Sequence, residues 1–127
     1  MMSESLKENL RKIVSDKGLS SFGDALVNFL FSLAILRATG SPKGKKVRNR
    51  DLADAMKATG LRNLLPFRMD RHALGNAAEA LIAYGWLKGL FTTEEYVEIL
   101  GRGIDEPVEA LKDVLDEVLK KLSDNLA

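Results

Sequence analysis

Apolar residues recur at helical spacing along almost the whole chain, and no segment shows a convincing strand-like alternation. A repeat of 3.6 residues is typical of helices that bury one face. The pattern predicts helices over the approximate ranges 5–17, 20–38, 49–59 and 92–100. Two further helices are predicted, one that begins near residue 70 and ends between residues 84 and 89, and one that begins near residue 105. Residues 61–69 stay unassigned because Pro66 interrupts them. The chain is therefore expected to be all-α.

Residues that commonly begin or end helices flank these segments. Serine, asparagine and threonine are favoured as the residue that caps the start of a helix, because their side-chain oxygens accept hydrogen bonds from backbone N–H groups of the first turn. Glycine is favoured just after the end of a helix. The expected stops are Gly18 and Gly60, and the expected caps are Ser20 or Ser21, Asn49, and Thr92 with Glu95 as a capping box.

The last predicted helix carries an apolar seam with 3-4-3-4 spacing, formed by Val108, Leu111, Leu115, Val118 and Leu122. Two heptads are too few to establish a coiled coil, so packing on the body of the chain is favoured over packing on a partner helix. We expect one helical domain over residues 1–100 and a C-terminal helical extension over residues 101–127.

Composition excludes several classes of protein. The chain has 127 residues and no cysteine, which excludes disulfides, thiolate catalysis and cysteine-ligated zinc. Its N-terminal residues lack the basic-then-apolar pattern of a signal peptide. The longest apolar run is interrupted by Asp24, Asn28 and Ser32, which makes it a poor membrane-spanning helix. A cytoplasmic protein without membrane contact is expected.

Charge is divided unevenly along the sequence. Residues 37–71 carry ten lysines and arginines against three acids, a local charge of +7, whereas residues 92–127 carry four against ten, a local charge of −6. The basic segment could bind a polyanion, or the two segments could attract each other within the fold.

The basic segment includes a predicted flexible loop without interleaved aromatic residues. Such a loop suits phosphate backbones better than stacked single-stranded bases, and double-stranded RNA is recognised largely through its shape and backbone. Its candidate RNA-binding residues are Lys43, Lys45, Lys46, Arg48 and Arg50.

Two lone carboxylates interrupt strongly apolar helical segments: Asp24 within residues 22–36 and Glu79 within residues 76–83. Burying an ionised carboxylate is costly unless it is paired or bound to metal. Asn28 shares a helical face with Asp24, and Asn76 shares one with Glu79. If these two faces pack against each other, their side chains offer oxygen ligands for Mg²⁺ or Mn²⁺. A metal so held can activate water for phosphodiester hydrolysis.

Simpler interpretations of these residues remain open at the sequence level. Asp24 could stabilise the start of its helix by complementing the helix dipole. Glu79 could lie on a solvent-facing strip. His72, which is the one histidine of the sequence, is expected to be a surface or capping side chain more often than a ligand.

Two motifs resemble the catalytic domain of the ribonuclease III family. Phe22-Gly23-Asp24-Ala25-Leu26 is similar to the signature helix of that domain, and Asn76-Ala77-Ala78-Glu79-Ala80-Leu81-Ile82-Ala83 is similar to its Asp-x-x-Glu-Ala-Leu-Ile-Gly motif. The resemblance covers roughly residues 5–100. It is closest to short archaeal and minimal bacterial forms that lack a separate double-stranded-RNA-binding domain, and it implies a helical endonuclease bundle.

The resemblance also implies roles for individual residues. Asp24 and Glu79 fall on metal ligands of the family, and Asn76 falls on an aspartate of the second motif. Lys17 and Ser20 fall where glutamates are common. The implied activity is Mg²⁺-dependent (or Mn²⁺-dependent) hydrolysis of double-stranded or structured RNA by a homodimer, with Asp24, Glu79 and Asn76 at the catalytic centre.

Two other functions compete with this one. Three positions where the family commonly has acids are occupied here by Lys17, Ser20 and Asn76. The loss of these acids is compatible with a weakly active or inactive ribonuclease III-like protein that binds RNA or supports assembly. A helical metal-dependent nucleotide pyrophosphatase ranks last, because Glu94, Glu95 and Glu98 form only a surface-like acidic cluster.

Overall fold

The chain folds into six helices with no strand in the described ranges, which confirms the all-α prediction. The computed structural model describes residues 4–61, 65 and 68–126; the unassigned Pro66 lies outside them. The helices are α1 Glu4–Val14, α2 Lys17–Thr39, α3 Asn49–Ala58, α4 Arg71–Leu87, α5 Thr93–Gly101 and α6 Pro107–Leu126.

Helix α4 forms the centre of the bundle. It buries ten of its 17 residues and packs mainly against α2 and α3. Many of the buried positions are alanine or glycine, which allows neighbouring helices to approach closely. A helix that is apolar on all sides is buried on all sides, as the sequence pattern predicts. The α4 segment therefore has little freedom to move relative to its neighbours.

Glycine 23 brings α2 into close contact with α4. A Cβ atom at this position would collide with the backbone carbonyl of Glu79. The missing side chain therefore lets the two helices meet at the position where each carries its lone acid, since Asp24 directly follows Gly23. A second close approach occurs at Gly75, where the Asn49 side chain occupies the space that a Cβ would need.

The boundary between the first two helices differs from the prediction. Helix α1 ends at Val14, and α2 begins at Lys17, so Gly18 does not stop a helix and neither Ser20 nor Ser21 is a cap. Asp16 is the cap instead: its carboxylate accepts the Leu19 N–H at 3.0 Å. This bond satisfies an N–H group that the first helical turn leaves without a partner, and it outweighs the stop signal of a glycine.

Other predicted boundaries are correct to within two residues, with one error in the identity of a cap. Arg48, not Asn49, occupies the cap position of α3, because the Asn49 side chain packs against Gly75 instead. Gly60 follows the end of α3 with a φ of 76°, and Thr92 and Glu95 form the expected capping box.

Helix α6 packs on the body of the chain, against α3, α5 and α4. Its seam residues Leu111, Leu115, Val118 and Leu122 are all buried. The division of the chain into two units near residue 100 stays a prediction.

Helix α2 is long and apolar enough to cross a membrane by length and composition, which the sequence analysis did not expect. A core helix of a soluble protein passes the same test, and α2 packs against α4 and α5. Its interruptions Asn28 and Ser32 make hydrogen bonds to the following loop. The absence of membrane contact stays a prediction.

Candidate functional site

Asp24 and Glu79 meet at the contact between α2 and α4, where their carboxyl groups are within hydrogen-bonding reach of each other beside one cavity. Glu79 is only 6% exposed, so it does not lie on a solvent-facing strip. Asp24 lies two turns inside α2, too far from Lys17 to stabilise the start of that helix. The pairing expected from the two motifs is therefore present.

Asp24 is exposed, so the prediction that it is a buried carboxylate is wrong. Helix α2 is not buried all round: an open face carries Phe22, Phe29 and Leu36, and Asp24 is exposed at another position, about 200° around the helix from Phe22. The apolar character of these residues made the helix look buried all round. The desolvation cost therefore falls on Glu79 alone.

The two carboxyl groups differ in their affinity for protons. The pKa of Glu79 is raised to about 8, chiefly by burial and in smaller part by the hydrogen bond and negative charge of Asp24. At neutral pH and without a cation, Glu79 therefore holds a proton, which it donates to Asp24. A cation that binds both groups must displace this proton.

An open cavity of about 320 Å³ lies beside the pair. Asp24, Glu79 and Asn76 line it together, as do residues from the end of the loop that precedes α3. Its full lining is Ser20, Ser21, Asp24, Lys46, Val47, Asn49, Leu52, His72, Asn76 and Glu79. The three residues proposed from sequence as a catalytic centre thus share one cavity.

The donor groups of the cavity fit a hard divalent cation. Two carboxylates, the amide oxygen of Asn76 and the hydroxyls of Ser20 and Ser21 are the kinds of ligand that Mg²⁺ accepts, with water completing its octahedral coordination. Within the described ranges no group of three or more histidines, aspartates and glutamates is placed to hold a metal. The protein therefore offers a small number of ligands.

The three positions where the resemblance implies acids lie around a neighbouring cavity of about 230 Å³. Lys17, Ser20 and Asn76 all line it, and Ser20 and Asn76 also line the first cavity. Ser20 and Asn76 therefore lie beside the carboxylate pair and Lys17 lies in the adjacent cavity, and the three contribute a hydroxyl, an amide and a cation instead of negative charge.

The loop between α2 and α3 is attached to α2, in contrast to the flexible loop that we expected. Asn28 Oδ1 accepts the Val47 N–H at 2.8 Å, and Ser32 Oγ accepts the Lys45 N–H at 2.8 Å. Ser32 in turn donates to the Asn28 carbonyl oxygen at 2.7 Å. Sequence analysis missed this role; the spacing of two polar residues one turn apart before a polar loop is the signal that could have revealed it.

The five candidate RNA-binding residues occupy different positions in this region. Lys46 lines the cavity with the acids, whereas Lys43 and Arg50 are exposed away from it and Lys45 is half-buried. Arg48 forms an ion pair with Asp51, at 3.4 Å from Nε to Oδ2. The basic residues therefore do not form one uniform surface.

His72 and the glutamates of α5 are surface residues. His72 is exposed at the opening of α4, although it also lines the cavity. Glu94 is paired with Arg37, Glu98 with Arg102, and Glu95 with Lys121 in addition to its capping role. Because their charges are used in these ion pairs, the glutamates give no support to a nucleotide pyrophosphatase site.

Comparison with known proteins gives one finding. A family model described as Ribonuclease III matches residues 17–126, a range that begins with α2 and includes α6. No curated protein matches the sequence.

Proposed function

The chain belongs to the ribonuclease III family, whose members are RNA endonucleases that generally require a divalent metal, and we propose from this premise that it hydrolyses double-stranded or structured RNA in the presence of Mg²⁺ or Mn²⁺. The observation that carries the proposal is the Asp24–Glu79 pair, placed by Gly23 at the edge of a cavity beside a basic loop.

In this proposal Asp24 and Glu79 hold the cation, and the amide oxygen of Asn76 orients water bound nearby. When bound, such a cation lowers the pKa of water and polarises a phosphate oxygen. Glu79 gives up its proton when the site is loaded, so binding is favoured as the pH rises toward 8. The products would carry 5′-phosphate and 3′-hydroxyl ends.

The basic residues would hold the RNA backbone. Lys43, Lys45, Lys46, Arg48 and Arg50 lie on the loop before α3 or on its first turn. The loop carries no aromatic side chain for base stacking, which favours recognition through phosphates and the shape of a duplex. Because Asn28 and Ser32 attach the loop to the helix of Asp24, bound phosphates would lie in a fixed position relative to the acids.

A homodimer is part of the proposal, and the open face of α2 supports it. Phe22, Phe29 and Leu36 recur at seven-residue intervals on this face and are exposed. A line of large exposed apolar residues is a common feature of surfaces that bind another protein. Pairing of two copies through this face would place two Asp24–Glu79 sites in one assembly.

The competing function is RNA binding or assembly without catalysis. It is favoured because Ser20 and Asn76, which line the cavity of the carboxylate pair, and Lys17, which lines the adjacent cavity, add no negative charge. A site with so few acids would hold a divalent cation weakly. Binding of duplex RNA in EDTA, together with no cleavage in Mg²⁺ or Mn²⁺, would establish this second function.

The nuclease proposal is tested by cleavage of a defined RNA duplex with wild type, Asp24→Asn and Glu79→Gln. We expect each substitution to reduce the cleavage rate by roughly 100-fold or more, because each removes one of two carboxylate ligands. Glu98→Gln, which removes an exposed acid from α5, is the matched control and should retain wild-type activity. Equal cleavage by all four proteins would refute the assignment of the site.

A further inference from the structure

Lys46 differs from the other basic residues of the loop because it lines the cavity of the acids. It shares this cavity with Asp24, Asn76 and Glu79, and it is exposed at its rim. In the part of the chain that the structure describes, its ammonium group forms neither an ion pair nor a hydrogen bond. Its charge is therefore available to a ligand in the cavity.

The backbone holds Lys46 in place from both sides. The preceding residue, Lys45, donates its N–H to Ser32, and the following residue, Val47, donates its N–H to Asn28. Val47 is also buried. Both hydrogen-bond acceptors belong to α2, the helix of Asp24, so the lysine backbone and the acid are fixed to one rigid element.

The charge of the cavity limits the number of cations that it can hold. Asp24 and Glu79 supply two negative charges, and no third acid joins them within the described residues. Sites with two metals hold the ions at about 3.5–4 Å, where their mutual repulsion must be offset by several carboxylates. Two carboxylates next to an ammonium group do not meet this requirement.

We propose that the cavity holds a single divalent cation and that the Lys46 ammonium provides the second positive charge, which binds the phosphate at the point of cleavage. This inference rests on the proposed function and gives Lys46 a role that the other four basic residues lack. The phosphate would be stabilised by two positive charges, that of the cation held by Asp24 and Glu79 and that of Lys46.

The proposed role gives Lys46 opposite effects on two measurements. In the free protein, its charge repels a cation at the acid pair and lowers metal affinity. With RNA bound, the same charge attracts the phosphate and accelerates cleavage. A residue that only supported the local structure would change both measurements in the same direction when replaced.

The test measures Mn²⁺ binding without RNA, by calorimetry and by electron paramagnetic resonance, for wild type, Lys46→Gln and Lys43→Gln. We expect one ion per chain, bound about 3- to 30-fold more tightly by Lys46→Gln because a nearby positive charge is removed. Lys43→Gln removes the same charge from the same loop away from the cavity and should leave Mn²⁺ affinity unchanged.

Cleavage of saturating duplex RNA is measured on the same proteins. Lys46→Gln should be slower by roughly 100- to 1,000-fold, the usual effect of losing one charge-stabilising group, and Lys46→Arg should recover part of the rate. Two ions per chain, or a Lys46→Gln protein whose Mn²⁺ affinity is equal to or weaker than that of wild type, would overturn the inference. If wild type bound one ion but cleaved no RNA, the nuclease proposal and the role of Lys46 in cleavage would both fail, whereas the single-cation site would stand.

Discussion

At the scale of single residues, sequence analysis identified Asp24 and Glu79 but judged the burial of only one correctly. Glu79 is buried because α4 is surrounded by other helices, whereas Asp24 lies at an exposed position of α2. Hydropathy could not distinguish these cases, because Phe22 and Phe29 are exposed although they are strongly apolar. Lys46 was one of five similar basic residues in the sequence, and its position at the cavity depends on contacts with α2 that are distant in sequence.

The raised pKa of Glu79 makes stability depend on pH. Its folded-state pKa of about 8 lies above the ordinary value of 4.5, so the folded protein binds the proton more tightly than the unfolded chain. This contribution is fully present below pH 4.5 and is lost as pH rises toward 8.

We expect Glu79→Gln, whose amide cannot ionise, to lose this dependence. In urea unfolding with EDTA, the variant should become more stable than wild type as pH increases from 5 to 9, by an amount of the order of a few kcal/mol. A difference between the two proteins that does not change with pH would contradict the assigned protonation of Glu79.

At the scale of helices, the sequence pattern predicted the number and order of the elements because apolar periodicity reflects burial directly. It misplaced the boundary between α1 and α2, where the cap made by Asp16 overrides the glycine at position 18. The contact between α2 and α4 was not visible in the pattern. It depends on the absence of a side chain at Gly23, and a single glycine does not change the periodicity of apolar residues along a helix.

We expect Gly23→Ala to separate α2 from α4, because the new methyl group would collide with the Glu79 backbone, which cannot move aside as a flexible side chain could. The free energy of unfolding should fall by about 1–3 kcal/mol, the usual cost of overpacking. Gly101→Ala is the matched control: it lies in the last turn of α5 with open space around it and should be neutral or slightly stabilising. Equal urea midpoints for the two variants would show that the close approach does not constrain the fold.

At the scale of the whole molecule, the bundle separates its functions between surfaces. The basic loop and the acid pair lie at one cavity, while the acidic charge of α5 is largely used in ion pairs with Arg37, Arg102 and Lys121. Of these three pairs, only Arg37–Glu94 joins the basic segment 37–71 to the acidic segment 92–127, so pairing between the two segments uses little of the basic charge and leaves the loop charges to a polyanion. Sequence alone left these interpretations open because they differ only in tertiary contacts.

The proposed dimer is tested by comparing two exposed apolar residues. Phe29 is 54% exposed on the open face of α2, and Leu87 is 52% exposed at the end of α4. We expect light scattering after gel filtration to give a dimer for wild type and Leu87→Glu but a monomer for Phe29→Glu, because a buried unpaired charge is unfavourable in an apolar interface. A monomeric wild type, or dimers for all three proteins, would exclude this face as the interface.

The most direct test of the central claim is a crystal structure with Mn²⁺, in which anomalous scattering locates the ion. The account predicts one peak per chain within about 2.0–2.4 Å of a carboxylate oxygen from both Asp24 and Glu79. The peak should be absent in Asp24→Asn crystals treated in the same way. No peak at this pair in wild-type crystals with saturating Mn²⁺ would contradict the metal site and, with it, the proposed mechanism.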